Sequence, residues 1–164
     1  MEGLQLEPLT AQAFAPFGDV IDSASPCEQF AINEGRTQRH HALATVDCGS
    51  DDGTAILSLF RATPVEPGFL LRFLERHPLG SQAFINVSGN PYAIVVAPPG
   101  DFHETALRGF VARGDQSINY HRGTWHHYLL ALHQASDFVV VDRIGDGENC
   151  EEHTLQQPVE LVLP

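Results

Sequence analysis

A chain of 164 residues with an apolar fraction of 43% can bury the core of one domain, spanning residues 1–164. Its formal charge of -12 argues against nucleic acid or an anionic membrane surface as partner, because both demand basic patches. No run approaches the roughly 18 apolar residues of a membrane span, and no basic and apolar leader opens the chain.

Leu4, Leu6 and Leu9 suggest a first strand, and Thr10 can cap a brief helix that reaches Phe14 and stops at Pro16. Residues 17–21 read as a second extended piece. Residues 30–41 are basic for so acidic a chain, with Arg36, Arg39, His40 and His41 beside an Asn33-Glu34-Gly35 turn, the pattern of a solvated loop. Residues 42–46 and 55–62 read as strands. In the second of these Ser58 is in phase with Ile56 and Phe60, whereas Arg61 follows Leu57 and Leu59. Residues 69–77 and 82–88 form a strand pair joined at a Pro78-Leu79-Gly80-Ser81 turn. Residues 92–97 are continuously apolar and suit a central strand. Further strands are expected at 107–111, 115–120, 128–132 and 138–142, and alternating Val159, Leu161 and Leu163 suggest a last edge strand. Many short strands, Gly/Pro turns and few helices call for a sandwich or barrel. Three widely spaced cysteines, Cys27, Cys48 and Cys150, lack zinc spacing and read as reduced thiols in the cytoplasm.

Alternation places Leu71, Phe73, Glu75 and His77 on one face, and the two apolar residues mark it as buried. A buried carboxylate needs a cation, a donor or a metal. Glu75 either pairs with an arginine beside a core histidine, or it belongs to a site. A second polar cluster, Asn119 to His127, sits in the same strand-turn-strand setting and favours the site.

Double-stranded β-helix barrels of the cupin type hold ligands on two such motifs. Here Glu75-x-His77, four residues, Gln82, six residues and Gly89 fit the first, with Glu and Gln in place of His and Glu. Gly123-Thr124-Trp125-His126 fits the end of the second, with Trp in place of Pro. Glu75, His77 and His126 make a two-histidine, one-carboxylate set, with Gln82 as a weak fourth ligand, suited to Ni, Mn, Fe or Zn. The other reading is a metal-free pocket in which the same groups bind substrate. His121 precedes a Gly turn and can reach the pocket mouth as acid or base; His127, next to His126, should face away. No hydrolase serine elbow, nucleotide loop or HExxH is present.

Asn33-x-Gly35 with Arg39-x-His41, Glu75-Arg-His-Pro-Leu-Gly-Ser-Gln-Ala-Phe84, Asn119-Tyr-His-Arg-Gly-Thr-Trp-His-His127, and Asp142-Arg143 with Asn149-Cys150 resemble the ureidoglycolate lyases over about the whole chain. The resemblance implies a mainly β, cupin-type barrel with few short helices, a homodimer, and the late step of allantoin breakdown in purine catabolism, (S)-ureidoglycolate to glyoxylate and urea. It also implies a divalent metal, nickel before manganese or zinc, and no nucleotide cofactor. On this reading Glu75 and His77 act on the substrate hydroxyl, His121 or His126 protonates urea, and Arg39 or Arg61 holds the carboxylate, with Ser58, Gln82 and Asn119 as further contacts. Arg76, between two inward residues, ranks last. The alternatives are a metal-dependent cupin oxygenase or isomerase acting on another small acid, and a non-catalytic binder of small carboxylates.

Overall fold

The computed structural model describes residues 3–164. In chain order the elements are β1 (Leu4–Pro8), α1 (Ala11–Phe14), β2 (Gly18–Ile21), β3 (Glu28–Ile32), β4 (Thr37–His41), β5 (Thr54–Ala62), β6 (Leu70–Arg76), β7 (Gln82–Asn86), β8 (Tyr92–Ala97), β9 (Arg108–Ala112), β10 (Ser117–Tyr120), β11 (Trp125–His126), β12 (Leu130–Ala131), β13 (Ser136–Ile144) and β14 (Glu151–Val162). A seven-stranded sheet runs β11-β6-β14-β1-β9-β8-β12 and closes on itself where β11 also pairs with β8. A five-stranded sheet runs β2-β10-β7-β13-β5. This is a mixed β-barrel of the cupin type. Thr10 caps α1 by accepting from the Ala13 N–H at 3.1 Å.

Every residue of β8 is buried, which explains its unbroken apolar run. Tyr92, Ile94 and Val96 face a core between the sheets with Phe14, Phe84, Phe110, Tyr120 and Phe138. Ala93, Val95 and Ala97 face a second core with Leu71, Leu74, Trp125 and Leu155.

Four expectations change. Residues 30–41 are not a loop: β3 and β4 pair through an Asn33-Glu34-Gly35 turn in which all three residues have positive φ. Neither face of this ribbon is buried, so it carries no apolar alternation; Phe30 instead packs across the pair under Arg39 at 5.7 Å. Residues 42–46 form no strand, because Ala42 turns into the left-handed region at φ 51 and ends the extended run. The C-terminal strand is no edge: β14 lies between β6 and β1 over twelve residues. Its register shift between Thr154 and Val159 breaks the alternation opposite, so Leu71 and Leu74, three apart, share one core while Phe73 turns to His127.

The fourth change bears on the site. Strands β6 and β7 do not pair with each other; the turn between them is a corner from the seven-stranded to the five-stranded sheet. The segment from β10 to β11 makes the reverse crossing alongside it. β10 pairs with β7 and β11 with β6, both antiparallel. Gly123, at φ +78, bridges the corners by donating to the His77 carbonyl at 3.0 Å. Loop 42–50 pins both: Ser81 and Asp47 exchange bonds of 2.8 and 2.9 Å, and Arg122 grips the Asp47 carboxylate at 2.8 and 3.0 Å.

Phe84 packs against Phe60, Tyr120 and Phe138 at ring distances of 5.8, 5.8 and 6.3 Å and is 4% exposed. Phe84→Ala is expected to cost about 3–5 kcal/mol, read as a lower urea midpoint. A loss below about 1 kcal/mol would contradict the packing between the sheets.

Candidate metal centre

The two corner segments decide which side chains meet. Residues directly opposite on antiparallel strands share a face. His126 is opposite Glu75, and Tyr120 is opposite Gln82. His77 continues beyond β6, and its ring lies 5.0 Å from that of His126. One ligand atom from each of Glu75, His77 and His126 falls within 4.8 Å of the others.

Both imidazoles are oriented from behind. His77 Nδ1–H donates to the Asn149 carbonyl at 2.7 Å, and His126 Nδ1–H to the Thr124 carbonyl at 2.9 Å. A carbonyl only accepts, so each Nδ1 carries the proton and each Nε2 presents a bare lone pair. Neither Nε2 has a hydrogen-bond partner, although both are buried. Burial, reinforced by His77, holds His126 down at about 3, so the ring is neutral. The 3.7 Å approach of His126 Nε2 to Glu75 Oε1 is therefore no ion pair; two acceptors face each other with no donor between them. A cation answers that arrangement, and two imidazoles with one carboxylate, each ring hydrogen-bonded behind, is the donor chemistry of a divalent transition metal. The residues fit the group that the sequence resemblance implies.

Beside the set, the ring of Tyr120 lies flat on His126, with centroids 4.3 Å apart and planes within 14°. Its hydroxyl is buried without a partner. Burial, with contributions from Tyr92 and Glu75, pushes the phenol well above its ordinary value, so it stays protonated. Gln82 donates from Nε2 to Asp142 Oδ2 at 3.1 Å, which fixes the amide orientation and leaves Oε1 bare. Cys150 Sγ lies 3.8 Å from Glu75 Oε2.

The remaining candidates lie elsewhere. His121 turns outward to Asp19 Oδ2 at 3.1 Å, half exposed. Asn119, one residue from inward Tyr120, faces away and donates to the same oxygen at 3.1 Å and to the Thr45 carbonyl. Arg39 sits exposed on β4. Arg61 is on the outer face of β5, 73% exposed, with Asp137 held at 2.8 and 2.9 Å. Asp137 accepts from Val87, five strand steps or about 16 Å beyond Gln82. Ser58 is inward and half-buried opposite Val140, with no bond to the triad. Arg76 is structural: it pairs with Glu151 at 2.6 Å and lies over Trp125 at 4.5 Å. The convergent donor atoms, not the larger clefts, mark the chemistry; a 260 Å³ cleft lined by Phe60, Phe84, Tyr128 and Phe138 is apolar and carries only Arg61 as a charged group. Sequence reasoning gave no site role to Tyr120, which it left as the end of an expected strand, or to Asn149, whose contact with His77 is made by its backbone carbonyl.

His127 faces away from the centre, packed between Phe69, Phe73 and Tyr128, and burial lowers it to about 4. His126 and His127 are both depressed from 6.5, so the unfolded chain binds protons that the fold refuses. Their contribution is complete above that value and drains as the pH falls toward about 4 and about 3. Metal-free protein is expected to lose stability on the order of 1–2 kcal/mol per ring between about pH 7 and pH 5, read from urea midpoints. A flat profile across that window would contradict two buried neutral rings.

A profile of the ureidoglycolate lyase family matches residues 1–162. Proteins called ureidoglycolate lyase from Pseudomonas aeruginosa (strain PAO1) and Pseudomonas syringae pv. tomato are 51% and 52% identical over 164 residues, covering 99% of this chain and 96% of each relative. One from Pseudomonas fluorescens (strain SBW25) is 51% identical, with 98% of its length covered. A profile match over nearly the whole chain, with relatives about half identical over almost their full length, shows that the chain belongs to the ureidoglycolate lyase family.

Proposed function

We propose that the protein is a carbon–nitrogen lyase that splits (S)-ureidoglycolate into glyoxylate and urea, a step of allantoin breakdown. The observation that carries this reading is the convergence of Glu75, His77 and His126 within 4.8 Å, in a chain whose relatives bear the name of that activity.

Ureidoglycolate carries a hydroxyl, a carboxylate and a ureido nitrogen on one carbon. The hydroxyl loses its proton, its oxygen forms the C=O bond, the carbon–nitrogen bond breaks, and the departing nitrogen takes up a proton. Glu75 is the anionic group of the cluster and takes the hydroxyl proton. His77 and His126, with bare Nε2 atoms, act as acceptors and ligands; in this tautomer His126 has no proton to give the urea nitrogen. Glu75, His77 and His126 would hold a divalent cation, nickel in the first instance, which when bound would supply Lewis-acid polarisation of the substrate oxygens. Arg39 and Arg61 lie away from the triad, and a cation held there would offer positive charge to the substrate carboxylate in their place.

The same two-histidine, one-carboxylate set occurs in iron oxygenases, which makes oxygenation of another small acid the second reading. Oxygen consumption in place of urea release would favour it.

A homodimer is part of the proposal, and the β5 edge supports it. β5 pairs only with β13, leaving its other edge unpaired among the described residues. Leu57, Leu59 and Phe60 are 74%, 62% and 43% exposed along it. A nine-residue apolar edge invites pairing, and a second copy about a two-fold axis is the partner that closes it. Three free thiols fit a reducing cytoplasm.

Metal-loaded protein is expected to release urea and glyoxylate from ureidoglycolate in equal amounts, and Glu75→Gln to lower kcat by about 10²–10⁴-fold. Absence of release by folded, metal-loaded protein would end the lyase reading. Light scattering should report a dimer for the native chain and a folded monomer after Leu57→Lys with Leu59→Lys; a dimer that survives both changes places the interface elsewhere.

A further inference from the structure

Two residues that face each other across β7 and β10 each carry a bare buried polar atom, and the ring of one of them, Tyr120, stacks on His126. Gln82 and Tyr120 are opposite each other on β7 and β10, so their Cβ atoms are about 5 Å apart on one face. Gln82 is 6% exposed and Tyr120 is 1% exposed. Asp142 holds the Gln82 amide by its nitrogen, so the bare atom there is an acceptor, Oε1. The bare atom on Tyr120 is a hydroxyl that can donate. Tyr92 provides the control within the fold. It is equally buried, yet its hydroxyl donates to the Gln116 carbonyl at 2.9 Å and is satisfied. An acceptor and a donor left open together, in a core where each costs stability, define a two-point site.

We propose that Gln82 and Tyr120 form the ureido-recognition pair of this centre: Gln82 Oε1 accepts from the ureido N–H, and Tyr120 O–H donates to the ureido carbonyl. The pairing rests on the lyase reading and deepens it. As the carbon–nitrogen bond breaks, its electron pair passes to nitrogen and spreads onto the ureido carbonyl oxygen. The hydroxyl proton, taken by Glu75, returns to the nitrogen, so the products are glyoxylate and urea with nothing else consumed. The Tyr120 hydrogen bond strengthens as that oxygen gains charge, and it therefore acts on the barrier as well as on binding. Tyr120 is a catalytic residue in this sense, and Gln82 sets specificity for a ureido nitrogen over a methyl or hydroxyl in the same place.

The test uses two unreactive ligands on the metal-loaded protein: oxalurate, the planar oxidised analogue of ureidoglycolate, and pyruvate, an α-keto acid without a ureido group. Calorimetry should show oxalurate binding at least about tenfold tighter than pyruvate. Tyr120→Phe, which keeps the stacked ring, and Gln82→Met, which keeps the length, should each weaken oxalurate about tenfold or more. Pyruvate affinity should stay within about twofold, and metal content should not change. Equal weakening of both ligands, or none, would overturn the pairing, as would native protein that does not prefer oxalurate. Native protein that prefers oxalurate through these two residues yet releases no urea would leave the pairing standing and remove the lyase reading.

Discussion

Three acceptors crowd together without a donor between them: the Glu75 carboxylate and the Nε2 lone pairs of His77 and His126. The two imidazole nitrogens are buried and unpartnered, a cost that a fold does not carry for its own stability. The backbone makes the arrangement deliberate. Asn149 and Thr124 carbonyls take the Nδ1 protons, which aims both bare nitrogens at the carboxylate. Burial then keeps His126 neutral. A divalent cation among the three groups would satisfy all of them at once.

The fold supplies this geometry by running two corner segments antiparallel across both sheets. Ladder register sets Glu75 against His126 and Gln82 against Tyr120, one pair on each side of the corners. The triad and the open donor-acceptor pair thus lie on two ladders, one in each sheet, joined by the same two corners. Loop 42–50 ties the corners through Ser81 and Arg122, and Asn149 ties the first corner again by accepting from the Leu79 N–H at 2.8 Å. The polar residues of both sequence blocks divide between the triad, the corner clamps and, for Asn119 and His121, contacts to Asp19.

Much of this was legible in the sequence where local rules decide. The β8 run, the Thr10 cap and the turn residues at 33–35 and 78–81 follow from burial, capping and turn chemistry. The spacing of Glu75 and His77, with Gly123 before His126, pointed to the three groups that converge in the fold, and alternation predicted that His127 would turn away. Legibility failed where partners are distant in sequence. Arg61 and Asn119 looked available because nothing near them shows that Asp137 and Asp19 hold them. His121 lies two residues before the Gly turn, but its ring follows Asp19 outward. Tyr120 reads as the end of a strand, and only its unsatisfied hydroxyl separates it from Tyr92. The β14 register shift has no local signature, so strict alternation misassigned Leu71.

The charge of -12 and the open β5 edge describe the outside of the molecule, whereas the chemistry depends on a few ångströms inside it. The most direct measurement of the central claim is metal content per chain, by mass spectrometry of protein purified without chelator and then equilibrated with nickel or manganese. About one divalent ion per native chain is expected, falling nearly to zero in folded His77→Ala and His126→Ala variants. Native protein that holds no ion under those conditions, or variants that hold as much as the native chain, would contradict the account.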